Sequence, residues 1–143
     1  MRLNRREALM AGFGAAAAAA LPVTFATQAM AATAVDEAIA AFTGGAEVKE
    51  GGVTLTTPEI AENGNTVPIE IDAGDATDVL ILADGNPSPG VATFHFGALA
   101  VGTASTRVRL ATTQNVIAVA KLADGSFGKV ERAVKVTIGG CGG

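Results

Sequence analysis

The chain has 143 residues, with 10 basic and 14 acidic side chains and a formal net charge of −4 at pH 7. It contains no Trp and no Tyr. An acidic surface without these rings disfavours nucleic acid, anionic membranes and carbohydrate as ligands. One cysteine and one histidine cannot complete a tetrahedral zinc site within one chain, so we expect no metal site.

Residues 1–31 have the pattern of an export signal. The pair Arg5-Arg6 precedes an apolar, Ala/Gly-rich stretch at residues 8–21, and residues 29–31 fit the small-x-small cleavage rule. The pair resembles the twin-arginine signal, which predicts a periplasmic location. The alternative, a transmembrane helix, needs about 20 strongly apolar residues. Cleavage would leave residues 32–143 as one exported chain with a formal net charge of −6.

The exported chain is predicted to begin with a short helix at residues 36–42. Acidic residues occupy its first turn, where the helix dipole favours them, and Gly44-Gly45 provides a stop signal. One face of this helix is apolar and consists of Val35, Ile39 and Phe42.

The chain after Gly52 is predicted to form about seven short strands separated by turns. Asp124-Gly125 is typical of a hairpin turn, and residues 84–90 form a loop. The inward-facing residues of the alternating strands are predicted to be Val67, Ile69, Ile71, Phe94, Phe96, Val108, Leu110, Val134, Val136 and Ile138. This pattern predicts an all-β fold, an immunoglobulin-like β-sandwich at residues 32–138 with a short N-terminal helix.

Two strands, at residues 79–82 and 116–120, are apolar without alternation. A strand in a two-sheet sandwich normally has one buried face and one solvated face, so both runs predict a cover over their outer face. The cover is either the N-terminal helix, over one run, or a partner subunit. We expect a partner there, with Ile117 and Val119 on opposite faces of their strand.

The sole cysteine, Cys141, lies two residues before the end of the sequence, between Gly139-Gly140 and Gly142-Gly143. Glycine combines minimal bulk with maximal backbone freedom. An unpaired cysteine in an exported protein indicates a reactive thiol or an intermolecular disulfide. We therefore expect residues 139–143 to form a slim, flexible arm with a reactive sulfur. No residue of the arm would lower the pKa of a thiol, which is ordinarily about 8.5.

This C-terminus resembles that of the SoxY family, the sulfur carriers of the periplasmic thiosulfate-oxidising Sox system. The resemblance includes residues 136–143, 58–68, 105–116 and 118–126, as well as the leader. It implies that Cys141 is the site of covalent sulfur attachment and that Gly139, Gly140, Gly142 and Gly143 form the swinging arm. It implies a carrier without a cofactor, which is a substrate of the Sox enzymes and catalyses none of their steps.

The resemblance also implies the partners. A SoxZ-like β-sandwich subunit would form a heterodimer with this chain. The Sox enzymes would be a haem-containing coupling enzyme, a sulfate-releasing hydrolase and, where present, a molybdenum dehydrogenase. Two other functions remain open: an exported sandwich tethered through a disulfide of Cys141, and a carrier with a thiocarboxylate on Gly143.

Four polar residues outside the arm have ordinary interpretations. His95, between two Phe residues, is predicted to lie on the surface or at an interface and not to bind a metal. Arg107, Arg109 and Lys135 are predicted to face outward on their strands, as a solvated face or as a patch that attracts anionic thiosulfate or an acidic partner.

Overall fold

The computed structural model describes residues 23–138, with side chains from residue 33 onward. In this part of the chain one helix, α1 (Val23–Thr43), precedes nine strands. The strands are β1 (Val48–Glu50), β2 (Thr54–Thr56), β3 (Ile60–Ala61), β4 (Val67–Asp72), β5 (Asp78–Ala83), β6 (Gly90–His95), β7 (Thr103–Val108), β8 (Gln114–Lys121) and β9 (Phe127–Val136).

The strands form two sheets that pack face to face. The larger sheet has the order β1-β9-β8-β5-β6, and the short strand β3 also pairs with β9, near the end of that strand. The smaller sheet has the order β2-β4-β7. Both β1 and β3 run parallel to β9, whereas β8 pairs antiparallel with β9 and with β5. The predicted β-sandwich is therefore confirmed.

The core lies between the sheets and is built from alternating residues. On β4, Val67, Ile69 and Ile71 are buried while the residues between them are exposed. They pack with inward-facing residues of the larger sheet, namely Val79, Ile81, Ala83, Val116, Ala118, Ala120 and Val134. The alternation in the sequence therefore identified the buried face of β4 correctly.

The outer face of the larger sheet is covered by α1, which corrects the prediction of a partner subunit there. Leu80, Leu82, Ile117 and Val119 are buried in one cluster with Val35, and the partly buried Ala38, Ile39, Phe42 and Val48 pack against it. Because β5 and β8 are neighbours, with Leu80 opposite Val119 and Leu82 opposite Ile117, a single helix covers both runs. Ile117 and Val119 share this face, contrary to our expectation, because alternate residues of a strand point the same way.

The helix ends where the sequence predicted. Gly44 and Gly45 both have positive φ, 66° and 82°, and the Gly45 amide donates to the Ala40 carbonyl at 3.1 Å. Glycine adopts this conformation without strain, so the pair stops α1 and returns the chain to β1. The helix begins at Val23, well before the predicted start at residue 36. Residues 1–22 lie outside the described part, and cleavage after Ala31 stays a prediction.

Two other expectations differ from the structure. The short strands β1 and β3 were not predicted, because three and two residues are too few to show a period. Ile138 was predicted to face inward with Val134 and Val136, but it is 61% exposed because β9 ends at Val136. The last strand therefore leaves the core two residues earlier than the alternation indicates.

Candidate functional site at the base of the C-terminal arm

The predicted arm itself, Gly139, Gly140, Cys141, Gly142 and Gly143, lies outside the described residues. What the structure describes is the segment from which it departs. This segment, here called the arm base, consists of residues 136–138 and the residues that hydrogen-bond to them.

Hydrogen bonding between β8 and β9 ends at the pair of Gln114 and Val134. Beyond this pair, hydrogen bonds with a side chain, with β3 and with the segment after it hold the arm base. The Val136 amide donates to Thr113 Oγ1 at 3.0 Å, and the Thr137 amide donates to the Ala61 carbonyl at 3.0 Å. Thr137 Oγ1 donates to the Glu62 carbonyl at 3.0 Å. The backbone is therefore fixed on two sides beyond the last strand pair.

Gly64 makes the final contact. Its amide donates to the Ile138 carbonyl at 2.7 Å, and its own carbonyl accepts from the Leu110 amide at 2.8 Å. Gly64 is buried although it lies in a turn, whose Asn65 amide donates to Asn63 Oδ1 at 2.9 Å. The sequence indicated this turn, but not that it fixes the chain three residues before Cys141.

A polar network that sequence reasoning missed supports the neighbouring loops. Asp84 accepts from the Asn115 amide at 2.8 Å and from Asn115 Nδ2 at 2.9 Å. Asn86 Nδ2 donates to the Arg109 carbonyl at 2.8 Å, and Asn86 Oδ1 accepts from the Ala111 amide at 2.9 Å. The loop at residues 84–90 is therefore tied to residues 109–115, and Asp84 does more than form a turn.

Gln114 is the centre of this network. Its side chain is buried, accepts from the Gly85 amide at 2.7 Å, and donates to Asn86 Oδ1 and the Thr112 carbonyl at 2.9 and 3.0 Å. A Cβ at Gly85 would lie 2.8 Å from Gln114 Cβ, so the glycine allows this close approach. Gln114 lies opposite Val134 in β9, which places the network beside the arm base. The sequence signal was weak: one amide side chain, Asn86, in the loop and two, Gln114 and Asn115, at the start of β8.

Exposed basic side chains surround the same end of the sandwich. Arg107, Arg109 and Lys135 are exposed, as predicted, and Arg107 Nη1 donates to Thr66 Oγ1 at 3.4 Å. The ion pairs of the described residues join His95 to Asp78, and Lys129 to Glu50 and Glu131. Within that part of the chain, neither arginine has a carboxylate partner.

His95 lies at the opposite end of the sandwich. Asp78 lies opposite Lys121, seven residues along β8 from Gln114, so about 23 Å separates the two ends. His95 is exposed and its Nδ1 lies 2.5 Å from Asp78 Oδ1, while Thr77 Oγ1 donates to Asp78 Oδ2 at 2.7 Å. The hydrogen bonds from Thr77 and His95 lower the pKa of Asp78 below its ordinary value. The prediction of a surface histidine is confirmed.

Two features are absent from the described residues. Between residues 23 and 138, no His, Cys, Asp and Glu side chains group in a way that could hold a metal ion. Over that range, no helix combines the length and the apolar character that crossing a membrane requires.

The fold and the described site define a small immunoglobulin-like β-sandwich whose chain is held by hydrogen bonds up to Ile138, two residues beyond the last strand. The family model described as sulfur oxidation protein SoxY matches residues 39–141, a span that includes the arm base and Cys141. The chain belongs to the SoxY family.

A solved structure of the sulfur carrier protein SoxY from Chlorobium limicola f thiosulfatophilum is similar over nearly its whole length. It is 36% identical, and the match covers 75% of this chain and 99% of that one, with a TM-score of 0.65. A search of curated proteins found no match.

More distant structures share the fold alone. A superoxide reductase (neelaredoxin) from Ignicoccus hospitalis is 11% identical, with a TM-score of 0.51, and the match covers 59% of this chain and 79% of that one. A putative superoxide reductase from Thermotoga maritima is 17% identical, with a TM-score of 0.50, over 66% of this chain and 89% of that one.

Proposed function

We propose that this protein is a periplasmic sulfur carrier that holds intermediates of thiosulfate oxidation covalently on the thiol of Cys141. The observation that carries this proposal is the SoxY family match, which extends to residue 141 and therefore includes the sole cysteine. The related protein from Chlorobium limicola f thiosulfatophilum is described as a sulfur carrier.

The first step joins Cys141 to thiosulfate. A new S–S bond forms between the cysteine sulfur and the outer sulfur of thiosulfate, which gives the anion Cys–S–S–SO₃⁻. One proton is released to solvent and two electrons pass to the haem-containing coupling enzyme. The nucleophile in such chemistry is a thiolate, and a free thiol has a pKa of about 8.5. The receiving enzyme therefore supplies the activation.

The second step releases sulfate. Water attacks the sulfonate sulfur, the bond between that sulfur and the sulfane sulfur breaks, and the electron pair stays on the sulfane as a persulfide. The products are Cys–S–S⁻, sulfate and two protons. A hydrolase catalyses this step, and the molybdenum dehydrogenase oxidises the persulfide where that enzyme is present. The chain described here is the substrate throughout.

The arm base supports this function because it limits the reach of the thiol. The Ile138 carbonyl is held by Gly64, and three residues span the distance to Cys141. Three extended residues span about 10 Å at most. An enzyme channel of about this depth could receive Cys141 with Gly139, Gly140, Gly142 and Gly143 while the sandwich stays outside.

The heterodimer with a SoxZ-like sandwich is part of the proposal, with a revised location. Because α1 covers Leu82 and Val119, the partner binds a surface other than the outer face of β5 and β8. The twin-arginine leader at residues 1–31 supports export of this chain as a folded domain.

The test is to load the mature protein with thiosulfate in the presence of the SoxZ-like subunit and the haem-containing coupling enzyme, without the hydrolase, and to measure its intact mass. We expect a mass increase equal to one thiosulfonate group that is absent in Cys141→Ser. The variant should keep the fold, because residue 141 lies beyond the hydrogen-bonded arm base. A loaded Cys141→Ser variant would contradict the proposal, and a disulfide dimer as the sole product would support a tether instead.

A further inference from the structure

We propose that Arg107 and Arg109 form an anion site at the arm base that binds the sulfonate group of sulfur compounds reacting at Cys141. The ligand class is a thiosulfonate, either still free or already attached to the cysteine sulfur. This inference rests on the proposed function, because it assumes that Cys141 is the carrier thiol.

The first argument is position. The amide between Arg109 and Leu110 donates to the Gly64 carbonyl at 2.8 Å, and the Gly64 amide donates to the Ile138 carbonyl at 2.7 Å. The backbone of Arg109 is therefore connected to that of Ile138 through Gly64, by one hydrogen bond on each side of this glycine. Three extended residues span about 10 Å at most, so a group on the Cys141 thiol can come within reach of a long guanidinium side chain at this place.

The second argument is rigidity. The Arg109 carbonyl accepts from Asn86 Nδ2 at 2.8 Å, and Asn86 is itself bonded to Gln114 Nε2 at 2.9 Å. Arg107 Nη1 donates to Thr66 Oγ1 at 3.4 Å, in the turn that includes Gly64. The Arg109 backbone and the Arg107 side chain are thus both held next to the turn that fixes the arm base, and binding an anion there requires little ordering of the backbone.

The third argument is charge. Both guanidinium groups are exposed and have no carboxylate partner among the described residues. The adjoining segment has one more exposed cation, Lys135, and two exposed carboxylates, Glu59 and Glu62, so the positive charge of the proposed site comes from the two arginines. A guanidinium presents its N–H groups as a planar fork that matches oxyanions, which suits a sulfonate better than a single ammonium would.

Tetrathionate provides a test that needs no enzyme. The Cys141 thiolate attacks one of the two central sulfur atoms, a new S–S bond forms, and the central S–S bond of tetrathionate breaks. Thiosulfate leaves with the electron pair, and Cys–S–S–SO₃⁻ remains on the protein. The thiol proton goes to the buffer. A neutral pyridyl disulfide reacts at the same thiol without a sulfonate, so the ratio of the two rate constants isolates the effect of charge.

The variants are Arg109→Gln, the double variant with Arg107→Gln, and Arg109→Lys. Arg132→Gln is the matched control: it removes the same charge from an exposed site on β9, six residues or about 20 Å before Ile138. In about 10 mM salt we expect the rate ratio to fall about three-fold in Arg109→Gln and further in the double variant. It should change by less than about 1.5-fold in Arg132→Gln, because that charge is more distant, and be restored in part by Arg109→Lys. In about 1 M salt the differences should disappear, because the Debye length falls to about 3 Å.

The outcomes separate this inference from the proposed function. If the rate ratio of the double variant equals that of Arg132→Gln, the anion site does not exist, even if the Sox enzymes load the wild-type protein normally. If the ratio falls as expected but the enzymes do not load Cys141, the carrier function is wrong while the local anion site stands. An equal loss of reactivity toward the neutral disulfide would show a folding defect or a change in the thiol and would overturn the charge argument.

Discussion

Gly128 shows how closely the backbone is packed where β1 and β9 meet. A Cβ at this position would lie 2.1 Å from the Gly51 carbonyl oxygen and 3.2 Å from Gly52 Cα. These are backbone atoms, so no side chain can rotate away, and the neighbouring segment would have to move. Gly51 and Gly52 are themselves in the left-handed region, with φ of 94° and 76°, which further limits how the segment can adjust.

We therefore expect Gly128→Ala to lower the free energy of unfolding by about 2–3 kcal/mol, the cost typical of overpacking. Gly90→Ala is the control, because nothing lies within 4 Å of a Cβ there. Urea unfolding measures both, and Gly90→Ala should stay within about 0.5 kcal/mol of the wild type. Equal urea midpoints for Gly128→Ala and Gly90→Ala would mean that the Gly51 carbonyl does not lie in close contact with Gly128.

Asp78 links stability to pH at the opposite end of the sandwich. Its pKa is lowered by the hydrogen bonds from Thr77 and His95. A carboxyl group whose pKa is lower in the folded state stabilises the fold above its unfolded pKa of about 3.9, and this contribution is lost as the pH falls through the folded value.

Asp78→Asn should accordingly lose stability at pH 7 and show a weaker loss between about pH 5 and pH 2 than the wild type. The measurement is the free energy of unfolding at several pH values. Asp75→Asn, which removes another exposed carboxylate, is the control. Parallel pH curves for Asp78→Asn and the wild type would show that the contacts with Thr77 and His95 do not stabilise the ionised form.

At the level of elements, α1 belongs to the core even though it lies outside the two sheets. Phe42 packs with the cluster of Leu82 and Val119, and its ring meets that of Phe127 edge to face, with centroids 5.9 Å apart and an angle of 72°. Such a pair adds to the burial of apolar area. Through this contact α1, the first element of the described chain, packs against the first residue of β9.

We expect Phe42→Ala to cost about 2 kcal/mol of stability, less than for a fully buried phenylalanine because the ring is only partly covered. Glu37→Ala on the exposed side of α1 should change the stability by less than about 0.5 kcal/mol. Thermal and urea unfolding distinguish the two. If Phe42→Ala leaves the free energy of unfolding unchanged, α1 does not stabilise the sheet. A partner subunit over the outer face of β5 and β8 would then again be the favoured interpretation.

For the molecule as a whole, the two ends of the sandwich are suited to different tasks. One end has the arm base, the buried Gln114 network and two exposed arginines, which have no carboxylate partner among residues 33–138. The other end, about 23 Å away, has the pair of Asp78 and His95. If Cys141 is the reactive group, as proposed, an enzyme would meet this protein at the end that has the arm base, and the rest of its surface would stay available.

Bulk beyond the cysteine tests this arrangement. If the arm enters narrow channels, Gly142→Trp should react with a small neutral disulfide at the wild-type rate but lose at least about ten-fold in loading by the Sox enzymes. Gly142→Ala, a much smaller change, is the control. Enzyme loading is followed by intact mass, and the small reagent by absorbance. If the enzymes load Gly142→Trp at the wild-type rate, the absence of a side chain at residue 142 is not required for entry into the enzyme channels.

The sequence by itself determined the local patterns. The alternation of Val67, Ile69 and Ile71 identified β4 and its buried face, and Gly44-Gly45 identified the end of α1, because both signals depend on residues that are neighbours in the chain. The runs at residues 79–82 and 116–120 correctly indicated that both faces of two strands are covered.

Only the tertiary structure decided which residues meet across long separations. A pattern can show that Leu82 and Val119 need a cover, but not that α1 supplies it. Similarly, no period in the sequence relates Gly64 to Ile138 and Leu110, or Asn86 to Arg109. Such contacts arise because packing two sheets brings distant loops together at one end, where their backbone groups must find hydrogen-bond partners. Those contacts place the Arg109 backbone beside the arm base and fix Ile138, three residues before Cys141 in the sequence.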